Sequence, residues 1–134
     1  MAIYEPIDPG VPIKASVSDL IAFRWDTNSV EADFMIPGDD THLISVRFNS
    51  QCIVRILDEM PLSTEDNGGA NIGLVSDHFA YRVRNAVFER TQSVAWKETN
   101  GDPIHYQFVT GWACMDVLSN AEPSFTVVMR PKAD

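Results

Sequence analysis

Hydrophobic and polar positions alternate along most of this chain. In VEADFMI, Val30, Ala32, Phe34 and Ile36 share one face while Glu31 and Asp33 take the other. A period of two is the signature of a half-buried strand, and the PGDD that follows reads as a turn. In LISVRFNSQCIVRILDE, the residues Ile44, Val46, Phe48, Cys52, Val54 and Ile56 keep a single phase. That run is too long for one strand, which is typically about five or six residues, and NSQ suits a turn. The pattern predicts a hairpin with a loop at residues 49–51 and Phe48 opposite Cys52.

Further strands follow. HFAYRV puts Phe79, Tyr81 and Val83 inward, after which the apolar phase shifts to Ala86 and Phe88, as a β-bulge near residues 84–85 would produce. IHYQFV, GWACMDVL and SFTVVM read as three more strands, with Tyr106 and Phe108 in one phase, Trp112, Cys114 and Leu118 in another, and Phe125, Val127 and Met129 in a third. TNGD and SNAEP are turns between them. SVSDLIAFRW fits two patterns: Val17, Leu20, Ile21 and Trp25 match helical spacing with Ser16 and Asp19 as a capping box, while Ile21, Phe23 and Trp25 alternate. A helical turn also fits residues 91–97.

The prolines and glycine of residues 1–15 oppose both a helix and a central strand, so this segment reads as an extended arm. Residues 60–73, with their Asn-Gly-Gly, read as a long mobile connection. The whole pattern predicts an all-β fold: an antiparallel two-layer β-sandwich or flattened barrel of about seven or eight strands, with a short helix near residues 16–25 as the open alternative, in one domain spanning residues 1–134.

Charge narrows the partners. Nineteen acids against ten bases give a net charge of −9, and the arginines are scattered, the closest pair being Arg82 and Arg84 on one strand face. Phosphate backbones and anionic membranes repel such a surface. A cationic protein or a small molecule remains open. The sequence shows neither an apolar run of membrane-spanning length nor the features of a secretory signal, which leads to the expectation of a cytoplasmic protein. Cys52 and Cys114 form no zinc or redox spacing and read as buried thiols of a reducing compartment.

The candidate chemistry gathers around RILDEMPLSTEDNGG. In the predicted hairpin, Ile44 faces Ile56, and one register step beyond Leu43 and Leu57 His42 faces Asp58. Cross-strand Cβ atoms lie about 5 Å apart, so the two side chains could bond. A carboxylate beside an imidazole suits general acid–base work in a small hydrolase or isomerase, or simply closes the hairpin as a salt bridge. No nucleophile motif, phosphate-binding loop or metal-ligand spacing accompanies them: His78 and His105 read as surface or half-buried residues, His105 pointing outward by alternation. No cofactor is implied.

The bases for a binding module are different. Asp58, Glu59, Glu65 and Asp66 form an acidic segment, with Glu65 and Asp66 expected to be solvated, and loops on rigid sheets often hold partners. Trp25 and Trp112 fall in apolar phases and are expected in the core. Trp96 falls near a turn; exposed beside charge it would favour recognition, and folded over the core edge it would be structural. The sequence therefore favours a non-enzymatic binding module that meets a cationic protein or small ligand through acidic loops or an inter-sheet cleft. Leu43, Ile53 and Leu57, on the second face of the hairpin, together with the sheet edges, also allow pairing with a second copy.

Overall fold

The period-two segments become strands, and the strands sort into two antiparallel sheets whose apolar faces meet. In the computed structural model, which describes residues 1–131, one sheet holds in order β1 (Ile3–Pro6), β6 (Ala80–Arg84), β7 (Ile104–Phe108), β8 (Ala113–Ser119) and β5 (Ile53–Asp58). The other holds β2 (Leu20–Asp26), β3 (Ser29–Met35), β4 (His42–Phe48) and β9 (Ser124–Met129). The arrangement is a sandwich and not a closed barrel. Among the described residues, no helix is long and apolar enough to cross a membrane.

The predicted phases explain the core in β3, β4 and β7. In β8, Met115 and Val117 face inward in place of the expected Trp112, Cys114 and Leu118, and in β6 the expected Tyr81 and Val83 lie on the outer face, because both faces of these strands are covered and apolar. Val30, Ala32, Phe34, Ile44, Val46 and Phe48 from one sheet meet Phe79, Tyr106, Phe108, Met115 and Val117 from the other. The Phe108 ring is the hub, with the rings of Phe79, Phe34, Phe48 and Phe125 at 5.7, 5.8, 6.1 and 6.3 Å. Each buried aromatic pair adds about 0.5–1.5 kcal/mol beyond area burial.

The hairpin expected at residues 49–51 does not form. β4 lies between β3 and β9, whereas β5 is an edge strand paired with β8. Residues 49–52 instead carry the chain from one sheet to the other. Both strands turn the same phase toward the shared core, so a sheet switch preserves the alternation as well as a hairpin does. The tight reversal also lacks its usual backbone: none of residues 49–51 has a positive φ.

Three other expectations change. Residues 16–25 resolve in favour of the strand: a 3-10 turn at Ala15–Val17 precedes β2, and the Asp19 carboxylate accepts from the N–H groups of Leu20 and Ala113 and closes no capping box. The slip after Arg84 is no bulge; Asn85 adopts φ 64°, ends β6, and the chain enters helix α2 (Val87–Arg90). Trp25 and Trp112 are 61% and 57% exposed, because one ends an edge strand and the other sits in the loop before β8.

The outer face of the five-stranded sheet is also covered. Ala2, Tyr4, Tyr81, Val83 and Ala86 form a second apolar cluster there. The Pro-rich arm is extended as expected, and it is pinned: the Tyr4 N–H donates to Ile72 O at 2.7 Å and the Ile72 N–H to Ala2 O at 2.9 Å. The connection at residues 60–73 is therefore tethered, contrary to its expected mobility. It begins with helix α1 (Glu59–Ser63), and buried Asn67 accepts from the Val87 N–H through its side chain and from the N-terminal amine through its carbonyl. A third helix, α3 (Val94–Thr99), precedes β7.

Candidate functional site

The predicted dyad is not assembled. His42 opens β4 opposite Met129, and Asp58 ends β5 opposite Ala113, in different sheets. The His42 Nδ1 instead contacts Thr41 Oγ1 at 2.8 Å and the Asp39 carboxylate at 3.1 Å. Asp39 accepts from the Thr41 backbone N–H and hydroxyl and from His42, and these bonds hold its pKa down at about 2. Asp58 is the N-cap of α1, accepting from the Met60 N–H at 2.9 Å. An aspartate before a helix with proline in its first turn is a start signal in its own right.

The acidic segment divides as well. Glu65 is not solvated: it pairs with both terminal nitrogens of Arg55, at 2.7 and 3.1 Å. Asp66 is exposed and closes a turn on the Gly68 N–H. Glu59 is half-buried with its backbone N–H bonded to Trp112 O. Trp96 is half-buried on α3, whose N-cap is Ser93.

Glu65 leads to a polar cluster that the alternation misplaced. His105 is buried, not outward, because α2 covers that face of the sheet and the Phe88 ring lies 5.0 Å from the imidazole. The Asp116 carboxylate accepts from His105 Nε2 at 2.7 Å and Gln107 Nε2 at 2.9 Å on one oxygen, and from Arg55 Nε and Nη2 at 3.0 and 2.8 Å on the other. Burial pushes its pKa up, but the bonds from His105 and Gln107 and the Arg55 charge outweigh that and hold it below the usual carboxylate range. The ionised Asp116 requires the proton of His105 on Nε2, and Nδ1 is left with no partner. The Arg55 guanidinium also lies over Phe88, at 4.8 Å.

This cluster resembles catalytic machinery in composition only. The side chains of His105 and Asp116 have no solvent exposure, so no substrate reaches them. Its physical effect is to bolt α2 and the Glu65 connection onto the sheet. Among the described residues, no group of three or more His, Cys, Asp or Glu side chains is placed to hold a metal ion. Cys52 and Cys114 are buried free thiols, and burial pushes both pKa values up.

The open chemistry lies at one end of the sandwich. The 3-10 turn at Ala15–Val17, residues 72–78 and the β7–β8 loop converge there around a cleft of ≈ 540 Å³. Leu74 and Val75, 55% and 50% exposed, form one wall, and Val109 a second; Glu59, Asp77 and His78 supply charge and polarity. The walls are fixed in place. The Tyr81 hydroxyl donates to Val75 O and accepts from its N–H, clamping an exposed valine from below. Asp77 holds a left-handed backbone, φ 60°, while its carboxylate accepts from the Ser16 N–H at 2.7 Å. That bond, with the Ser16 hydroxyl, lowers the Asp77 pKa. A non-glycine residue in that conformation is strained and persists where its surroundings enforce it, often at a binding site. Gly111 lies against Ser16 so closely that a Cβ would overlap the Ser16 carbonyl.

Of the residues the sequence singled out, Glu59 borders this cleft, and so does His78, which was read as a surface or half-buried residue. Leu74, Val75 and Asp77 carried no periodic signal, since they belong to an irregular connection. No family model matches the chain, and no curated protein or solved structure matches it either.

Proposed function

We propose that this protein is a non-enzymatic binding module that captures a cationic, partly apolar segment of a partner in the end cleft. The observation that carries this reading is the juxtaposition of a rigidly held, solvent-facing apolar wall, Leu74 and Val75, with the carboxylates of Glu59 and Asp77. Concave apolar sites with a few fixed polar groups are the usual form of a binding pocket. The −9 charge of the chain draws cations toward it and speeds encounter. An enzymatic reading has no comparable support: the His42–Asp58 pair is absent, and the His105–Asp116 pair is sealed. The two buried free thiols fit a reducing compartment such as the cytoplasm.

The test uses short amidated peptides carrying arginine beside leucine, titrated calorimetrically in low and high salt. Binding weakens as salt rises, and Glu59→Gln or Leu74→Ser weakens it about fivefold, or about 1 kcal/mol. An acidic peptide of the same length does not bind. Affinity that ignores both salt and Glu59→Gln overturns the reading.

A further inference from the structure

Four strands form the edges of the two sheets, and three of those edges are blunted. β1 is capped by Ile72 and ends at Pro6. β2 has a register break between Leu20 and Ala22 and carries Arg24. β5 carries Arg55 and Asp58. These are the ordinary protections of a sheet edge: cover, proline, bulge and charge. Among the described residues, β9 has none of them. Its six residues, SFTVVM, hold no charge, proline or glycine and pair with β4 in unbroken register.

The direction of its peptide groups follows from one bond. The Arg130 N–H donates to Thr41 O at 2.7 Å, so residues 130 and 41 are a hydrogen-bonded pair. Such pairs alternate along an antiparallel ladder. Val128, Thr126 and Ser124 therefore direct their backbone groups to β4, while Phe125, Val127 and Met129 present theirs to the open edge. The side chains of this second set share one face of the strand. Phe125 packs on the core, and Val127 and Met129 remain 46% and 70% exposed. The free edge thus offers unpaired donors and acceptors beside an uncovered apolar strip.

Carboxylates stand at both ends of that edge. Glu122 lies just before β9; it makes a long ion pair with Arg82, at 3.6 Å, and its side chain stays 81% exposed. At the other end, Asp39 and Asp40 occupy the turn leading to Thr41 and His42, which pair with Arg130 and Met129. Asp39, with its pKa near 2, keeps its charge. Of the nearby cations, Arg47 is engaged by Glu31 and Asn49 and Arg82 reaches Glu122, while Arg130 follows the strand.

We propose that β9 is a docking edge, on which an extended partner segment adds as a fifth strand of the four-stranded sheet. The segment is apolar at alternate positions, covering Val127 and Met129, and has lysine or arginine at its ends to meet Glu122 and Asp39–Asp40. Main-chain bonds supply affinity in such strand addition, and alternate side chains supply specificity. The proposal rests on the preceding reading that the partner is cationic, and it adds the conformation in which that partner is held and a second surface on which it binds.

The probe is a lysine-flanked peptide of alternating valine and threonine, titrated into isotope-labelled protein. The amides of Val127 and Met129 shift and gain protection from hydrogen exchange. Val127→Pro removes an outward N–H without removing a bond to β4, and it weakens binding at least about tenfold. Met129→Lys, which leaves the backbone intact and adds a repelling cation, weakens it as well. Thermal unfolding of each variant shows that the fold is retained. Unchanged affinity in both variants, with shifts confined to Leu74, Val75 and Gly111, overturns the docking edge but leaves the cleft reading standing. Absence of any binding by this peptide also overturns the edge, and the arginine–leucine peptides then decide the cleft separately. A protein that dimerises by itself, and loses the dimer with Val127→Pro, replaces the cationic partner with a second copy of the chain.

Discussion

At the scale of single residues, the most constrained position is Asp116. Its carboxylate has four donors, and no water reaches it. Asp116→Asn leaves Arg55 paired with Glu65 but replaces the buried acceptor of His105, Gln107 and Arg55 with a neutral amide. Leaving buried donors poorly satisfied costs about 1–3 kcal/mol, measured as a lower urea midpoint with an unchanged slope. The pH dependence has a defined sign. The folded pKa of Asp116 lies below its unfolded value of about 3.9. Its contribution is therefore full above that value and is lost as pH falls through the folded pKa. Wild type loses stability below about pH 4, and Asp116→Asn loses less of it over the same interval. Part of this was legible in the sequence. In ACMDVLS both phases are apolar, with Met115 and Val117 on one face and Cys114 and Leu118 on the other. A strand apolar on both faces is buried on both, so an aspartate in its middle needs partners. The identity of those partners was not legible, since Arg55, His105 and Gln107 come from strands that only the sheet order brings together.

At the scale of elements, alternation located the strands and left their neighbours open. It placed Phe48 and Cys52 in one phase correctly, because both face the core. It had no means to separate a hairpin from a crossing between sheets, since each turns the same residues inward. The pairing of His42 with Asp58 depended wholly on that choice. The covering elements were less legible still, because residues 60–79 carry little periodicity and are held by single contacts. Gly73 is one such contact. It has φ +89°, and a Cβ there would overlap the Tyr4 carbonyl oxygen. Gly73→Ala adds both backbone strain and a clash against β1, with a loss of about 1–3 kcal/mol. Hydrogen exchange at Tyr4 and Ile72, which bond across this junction, accelerates. Gly38→Ala serves as the control. Gly38 has φ +82° but nothing within 4 Å of the added carbon, so it shows the strain alone and leaves exchange at Tyr4 unchanged.

At the scale of the whole molecule, charge and aromatic exposure meet in one measurable property. The sequence pattern put Trp25 and Trp112 in the core, because a period-two phase marks a face without telling how far the opposing sheet reaches. Both indoles lie beyond that reach, at the end of an edge strand and in an end loop, and Trp96 is half-buried. The field around them is that of a chain with a net charge of −9. A cationic quencher is concentrated near such a surface and an anionic one is excluded, over a distance of about 8–10 Å at physiological salt. Tryptophan fluorescence is therefore quenched by caesium more strongly, and by iodide more weakly, than each quenches a free neutral tryptophan derivative. The gap narrows as inert salt is added. Neutral acrylamide, which feels no field, quenches to an extent set by exposure alone and reports two accessible indoles. Equal relative quenching by the two ions at low salt would mean that the acidic surface does not reach Trp25 or Trp112. Trp112 lies in the loop that also borders the cleft, so that outcome would remove the electrostatic attraction on which capture of a cationic segment at this end of the sandwich depends.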